Sequence, residues 1–393
     1  MLYRRPWFCA LSIGLSVALF TASAGQPSDV LNDFGDVEIE KPAAKPAKDE
    51  KATPASPTLK KGLNWVLENQ HSDGGWSSGS HGTDGSQASS DVATTAFTVL
   101  ALTRSANGSG AYHSTVKRGI DFVINAIDTA PEGAKLNTPQ GTQIQYKMGE
   151  LVDTHLASLM LGEVAGTFDK ETNRRINIAL DKVVGKVQQA QRADGSFDAN
   201  GWAPVLSSSI AAQSLNRAIE LGVVVDDAVL AKSDDYQAGQ ADVSSGSFDA
   251  SEGAGVELYA VATSMRGSSQ IGGRTGKAAP TASMQKKAEE VAQVAKNRVS
   301  ADSSGALMAG FGSIGGEEMV SYMMISDSLA EEGGKEWTNW ETKVGDYLAS
   351  IQNGDGSWVG HHCITSRAFT TAGAIMTLTA GNYVSLRENR TDG

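Results

Sequence analysis

Cysteine is nearly absent: the 393-residue chain has two, Cys9 and Cys363. Cys9 lies in an N-terminal apolar run, so once that run is removed no intrachain disulfide can form, and the core alone must hold the fold. A basic excess is missing too, with 33 Lys and Arg against 45 Asp and Glu for a net charge of −12. That balance argues against nucleic acid or an anionic membrane as the main partner, while leaving room for a local basic pocket. No apolar run reaches the ~20 residues that span a bilayer as a helix. The longest, from about Trp7 to Phe20, follows Arg4 and Arg5 and precedes Ala22-Ser23-Ala24. This order predicts a signal peptide over 1–24, cleaved near Ala24, and an exported mature protein. Residues 25–57 include EKPAAKPAKDEKATPASP, which has almost no aromatic or branched apolar side chains. Such a stretch cannot offset its ordering entropy, which predicts a disordered tether.

What the chain does have is a repeat. Gln70 to Trp76, Gln191 to Phe197 and Gln352 to Trp358 share the pattern Gln-x-x-Asp-Gly-(Gly/Ser)-(Trp/Phe). Each follows apolar residues at helical spacing, such as Leu63, Val66 and Leu67. Asp-Gly is a turn signal, and its glycine can take the positive φ at which a helix stops. The segment after the first turn, Thr94-Thr95-Ala96 to Leu102, matches that after the last, Thr370-Thr371-Ala372 to Leu378. Similar small and apolar helices are predicted at about 151–164, 207–221, 255–265 and 318–329. Roughly six helical hairpins at a period of ~54 residues make a repeat architecture. In each pair one helix is amphipathic and the other apolar nearly all round, as an outer and an inner ring require. The expected fold class is therefore all-α, an α/α toroid over 58–383, followed by a C-terminal tail at 384–393.

Lys61-Gly62-x-x-Trp65, running through Gln70 to Asp73-Gly74-Gly75-Trp76, resembles the QW-type repeat of squalene-hopene and oxidosqualene cyclases and of protein prenyltransferase β subunits. The resemblance covers nearly the whole expected domain, and its motifs specify a fold more than a reaction. It implies an exported protein of the terpenoid cyclase and prenyltransferase class that takes an isoprenoid or other lipid into the toroid cavity. In that arrangement the inner-helix N-termini converge on one rim, where free N–H groups and helix dipoles would attract an anion.

The catalytic motifs that this resemblance implies are incomplete. Where such a cyclase carries Asp-x-Asp-Asp-Thr-Ala, this chain has Asp91-Val92-Ala93-Thr94-Thr95-Ala96 and lacks two carboxylates. A magnesium-holding Asp-Asp-x-x-Asp is broken too, because Leu230 follows Asp226-Asp227 where the third Asp belongs. His361-His362-Cys363 is the nearest counterpart of a zinc-bound thiol site, with His362 and Cys363 as candidate ligands for zinc, although its order and spacing differ from that family's ligands and no cofactor is specified by the sequence. Cys363 alone could also serve as a nucleophile. Asp91, Asp153, His155 and Glu318 are the remaining catalytic candidates, as polar groups in otherwise apolar helices. Thr94, Tyr259, Tyr322 and Arg367 are the candidate ligand-binding residues. Glu257 and Glu317 accompany them, and Glu317 with Glu318 follows Gly315-Gly316 where a helix cap is expected. Residues 266–282, RGSSQIGGRTGKAAPTA, are expected to form a flexible surface insertion that could cover a cavity mouth.

Two other readings compete with the lipid-binding one. A non-catalytic toroid binding protein or glycan at the cell surface would have a centre filled by side chains and an exposed aromatic patch. A glycan-processing α/α barrel would hold two carboxylates at the separations glycosidases use.

Overall fold

The computed structural model describes residues 56–198 and 200–391. The expected signal peptide, and all of the expected tether but its last two residues, lie outside the described residues. Fourteen helices and a two-residue β-hairpin make up the regular structure among them, which meets the all-α expectation. In chain order the helices are α1 (Pro57–Glu68), α2 (Val92–Ala106), α3 (His113–Asp128), α4 (Gln143–Met148), α5 (Val152–Val164), α6 (Lys170–Ala190) and α7 (Pro204–Glu220). They continue with α8 (Asp227–Ala238), α9 (Glu257–Gly273), α10 (Ala282–Ser300), α11 (Gly316–Glu332), α12 (Gly334–Ser350), α13 (Arg367–Leu378) and α14 (Ala380–Thr391).

Two burial patterns separate these helices. In α3 the buried branched residues are Val116, Ile120, Val123, Ile124 and Ile127, one stripe at helical spacing, and α6 and α12 are built the same way. In α5 every residue from Val152 to Val164 is buried, and α2, α7, α9, α11 and α13 are buried almost all round. The fully buried helices pack in a closed cycle: α2 on α5, α5 on α7, α7 on α9, α9 on α11, α11 on α13, and α13 back on α2. The one-sided helices α1, α3, α6, α8, α10 and α12 lie against this cycle.

The three repeated turns hold the two sets together through the same bonds. Gln70 donates its amide to the carbonyls of Gly74 (2.8 Å) and Thr115 (2.9 Å), the latter on α3. Gln191 reaches Val229 on α8 at 2.7 Å, and Gln352 reaches Thr58 on α1 at 2.9 Å. Thus each turn is stitched to the next one-sided helix, and the last turn is stitched to the first. The aromatic residue of each turn is tied to the buried helix that follows. The backbone N–H of Trp76 donates to Thr95 Oγ1, that of Trp358 to Thr371 Oγ1 (both 3.0 Å), and that of Phe197 to Ser208 Oγ (3.1 Å). This pairing explains why the two Thr-Thr-Ala helices match. Replacing Gln352 by Ala strips donors from two carbonyls and is expected to cost about 2 kcal/mol. Urea denaturation should show this beside a Gln293→Ala control that removes only an exposed amide bond and stays within about 0.5 kcal/mol.

Two expectations about segments need correction. Residues 384–391 are not a tail, because α14 continues to Thr391. Tyr383 on α14 is buried under the Arg104 guanidinium at 4.2 Å and accepts from Arg266 at 2.8 Å. Residues 266–273 are not a flexible insertion but the last two turns of α9. Composition misled there because Arg266 is fully buried, its charge met by Glu331 from α11.

Candidate functional site

The N-termini of the buried helices gather at one end, and the chain's own side chains cap α2, α11 and α13. Asp91, the N-cap of α2, accepts from Thr94 N–H at 2.8 Å with one oxygen, and from Ser78 N–H (2.7 Å) and Ser78 Oγ (2.8 Å) with the other. Asp153 on α5 accepts from Ala93 N–H at 2.9 Å and from the Gln145 amide at 2.7 Å. Burial pushes both carboxyls up against these bonds, and with the neighbouring Asp91 charge it brings Asp153 to about 7. Ser366 caps α13 and Glu318 caps α11. The anion-accepting rim expected from free N–H groups is therefore not formed at these helices, because internal oxygens already take those donors.

The second cluster lies at the start of α11. Glu318 accepts from Gly315 N–H (2.9 Å), Phe311 N–H (3.2 Å) and Tyr259 OH (2.7 Å), and His362 Nε2 stands 3.3 Å from it. Glu317 accepts from Ile364 N–H at 3.3 Å, and burial followed by the adjacent Glu318 charge raises it to about 7. Burial pushes the His362 imidazole down, but the neighbouring Cys363 and Glu318 outweigh this and raise it to about 11. Tyr259 is raised by burial and by the carboxylates beside it. The structure thus joins Tyr259 and Glu318, placed far apart by sequence, to the expected His362.

Cys363 stands apart from the expected zinc set. The three residues whose ligand atoms all lie within 4.8 Å of one another are Glu317, Glu318 and His362. Two carboxylates and an imidazole suit a divalent ion. Glu318, however, already accepts from three donors, His362 Nε2 lies 2.8 Å from the Ser313 carbonyl, and Glu317 is bonded to backbone, so a metal would have to displace bonds that close the site without it. The fit to a resident zinc is poor. Cys363 itself is half-buried with φ +50°, and its carbonyl is 3.2 Å from His81 Nδ1.

The other candidates are scattered. His155 is fully buried, with Nδ1 2.9 Å from Ser207 Oγ and Nε2 unpartnered, and burial depresses it to about 3. Thr94 is fully buried, and Tyr322 points outward between Trp340 and Tyr347, its OH bonded to the Met308 carbonyl. Arg367 pairs with Asp355 at 2.7 Å and lines a cavity of about 250 Å³ beside Trp65. Glu257 pairs with Arg298 at 2.7 Å. Phe97 and Phe369 stack at 4.4 Å within the ring, and a Cβ on Gly373 would come within 2.6 Å of Met319. Side chains thus fill the space between α2, α11 and α13.

What this end exposes is aromatic. Tyr146, Trp202 and Phe311 are each about half exposed, at 53%, 49% and 51%. Lys147 Nζ lies 4.9 Å from the Tyr146 ring centre and 4.2 Å from that of Trp202. The series continues from Tyr146 to the His81 ring at 5.8 Å, through the His81 bond to Cys363, and from His362 to Phe311 at 5.4 Å. The Lys147 carbonyl accepts from the N–H groups of Trp202 and Ala203 at 2.8 and 2.7 Å, fixing the platform. Fully buried Gln143 braces it from below. Its amide donates to the Ser80 and Thr83 carbonyls, and its oxygen accepts from Thr365 and Ser366 N–H. Sequence reading missed Gln143, Tyr146, Lys147, Trp202 and Phe311, none of which lies in a repeat motif. The Thr142 to Gln145 capping box was the one local signal available near them.

No protein-family model matches the chain, and a search of curated proteins returns no match.

Proposed function

We propose that this protein is a non-catalytic toroid that binds an acidic polysaccharide on the end of the ring carrying Tyr146, Lys147 and Trp202. The observation that carries this reading is the pair of half-exposed rings, Tyr146 and Trp202, both packed against the buried Lys147 ammonium, which has no carboxylate paired to it among the described residues. Aromatic faces stack on the C–H faces of sugar rings, and the linked exposed apolar residues here are all aromatic rather than aliphatic. A sugar carboxylate or sulfate would supply the missing counter-charge. The net charge of −12 does not oppose this, because the cation is local.

The buried carboxylates also support a non-catalytic reading. Asp91, Asp153, Glu317 and Glu318 are nearly closed to solvent and spent on backbone or side-chain donors. The closed helix cycle and the stitched Gln-x-x-Asp-Gly turns support placing the chain in the terpenoid cyclase and prenyltransferase class of α/α toroids. The side chains that fill the space between α2, α11 and α13 favour a scaffold over an isoprenoid-processing site. Export after removal of residues 1–24 belongs to the same proposal. Affinity electrophoresis in gels containing polygalacturonate is the test. Retardation should fall at least tenfold in Trp202→Ala and in Lys147→Met, and persist in a Cys363→Ala/Asp91→Asn double variant. Equal retardation of wild type and Trp202→Ala would sink the reading.

A further inference from the structure

Cys363 lies between the third repeated turn and α13, half-buried within the band of rings at the end where the buried helices begin. Its carbonyl is 3.2 Å from His81 Nδ1, His81 packs on Tyr146, and the adjoining His362 ring packs on Phe311. The His362 imidazole is fixed in one tautomer. Its Nε2 lies 2.8 Å from the Ser313 carbonyl oxygen, which can only accept, so Nε2 carries a hydrogen, and Glu318 stands 3.3 Å from the same nitrogen. Nδ1 is buried and has no hydrogen-bond partner among the described residues. The Cys363 side chain interacts with this ring. An imidazole held by its far nitrogen, with the near nitrogen open beside a thiol, is an arrangement that can take the thiol proton.

We propose that Cys363 is a thiol–disulfide exchange site that becomes capped by one half of a low-molecular-weight disulfide. The thiol proton passes to His362 Nδ1, and Cys363 Sγ attacks one sulfur of the disulfide. The new S–S bond forms as the old one breaks, and the departing thiolate takes the proton from Nδ1 and leaves as a free thiol. The protein thiol is oxidised and the small disulfide is reduced, with no further reactant. Acyl transfer suits the same thiol less well, because it needs free N–H donors for an oxyanion. Those near the loop are spent on internal oxygens. Gly316 N–H donates to the Ile364 carbonyl at 3.0 Å, His361 N–H to the Ile314 carbonyl at 2.8 Å, and Ile364 N–H to Glu317 at 3.3 Å. Disulfide exchange builds no charge on oxygen and needs no such donors. The reaction also stops at the mixed disulfide. Cys363 is the only cysteine outside the N-terminal apolar run, so no second thiol of the mature chain can resolve it. A half-buried thiol among rings suits a small disulfide better than the Cys363 of a second copy.

Reaction of the full chain with dithiodipyridine, followed through the thiopyridone released, tests this. The folded protein should react about tenfold faster than the same protein unfolded in urea, whereas a half-buried thiol without a base reacts more slowly when folded. Cys363→Ser should remove the fast phase, which assigns it to this residue. His362→Asn should slow the folded reaction about tenfold. Should His362→Asn unfold the protein, the comparison of folded and unfolded wild type decides alone. Incubation with glutathione disulfide should add one glutathione per chain at Cys363, read by mass spectrometry of the intact protein and of its peptides. A folded rate at or below the unfolded one, a rate unmoved in a folded His362→Asn protein, or a disulfide-linked dimer in place of the adduct would overturn the proposal. Trp202→Ala should leave the rate unchanged, so this site and the sugar platform can fail separately.

Discussion

Replacing His155 by Gln is expected to make the protein more acid-resistant than wild type, by about 3 kcal/mol between pH 7 and pH 4. The buried imidazole titrates near 3 in the folded chain against an ordinary 6.5. Below pH 6.5 the unfolded chain therefore binds a proton that the folded chain refuses. Stability from the neutral ring is present above 6.5 and is lost as pH falls toward 3. Asp153 and Glu317 act with the opposite sign. Their folded values are raised to about 7, so their contribution is full below the unfolded carboxylate range and disappears as pH rises through 7. These carboxyls make the wild-type profile a sum of opposing slopes, and comparison with the His155 variant isolates one of them. Chemical denaturation of both proteins across pH 4 to 7 provides the check. Parallel curves would mean that the imidazole does not resist protonation. The variant should also lose about 1 kcal/mol at pH 7, because the Ser207 hydroxyl loses its partner.

Gly356→Ala is expected to cost more than about 3 kcal/mol, at the seam where the last turn meets the first helix. Gly356 has φ +94°, and a Cβ there would lie 2.5 Å from the Lys61 carbonyl oxygen on α1. The equivalent glycines repeat the arrangement. Gly74, at φ +92°, faces the Arg118 carbonyl at 2.7 Å, and Gly195, at φ +90°, faces that of Lys232 at 2.2 Å. Backbone strain and steric clash separate cleanly through a control. Gly82 has φ +83° with nothing within 4 Å, so Gly82→Ala should cost only about 1 kcal/mol. Urea midpoints of the two variants measure the difference. A Gly356→Ala protein as stable as Gly82→Ala would show that α1 and the last turn do not pack as described.

The repeated turns were legible because their chemistry is local. Asp73, Asp194 and Asp355 each accept the N–H two residues on, and the following glycine turns the chain whatever lies beyond. The cap at Glu318 was legible as a polar group at a helix start, whereas Asp91, read as part of a degenerate acid motif, is the N-cap of α2. The error at 266–273 has a different origin. Glycine, serine and arginine read as an exposed insertion unless a distant carboxylate waits for the arginine, and Glu331 lies 65 residues beyond Arg266. The same applies to 384–391, whose polar composition hides the bond from Arg387 to the buried Tyr383.

The sequence alone determined that the chain is all-α, built of a repeated hairpin with one amphipathic and one buried helix, because turn chemistry and helical periodicity act over a few residues. Only the tertiary structure decided that side chains fill the space between α2, α11 and α13 and that the starts of α2 and α11 are capped by the chain's own carboxylates. It alone brought Tyr146, Lys147 and Trp202 into one platform and set Glu318 against His362. Those features depend on which side chains meet across tens to hundreds of residues, as Gln143 meets Ser366, and local pattern carries no record of such meetings.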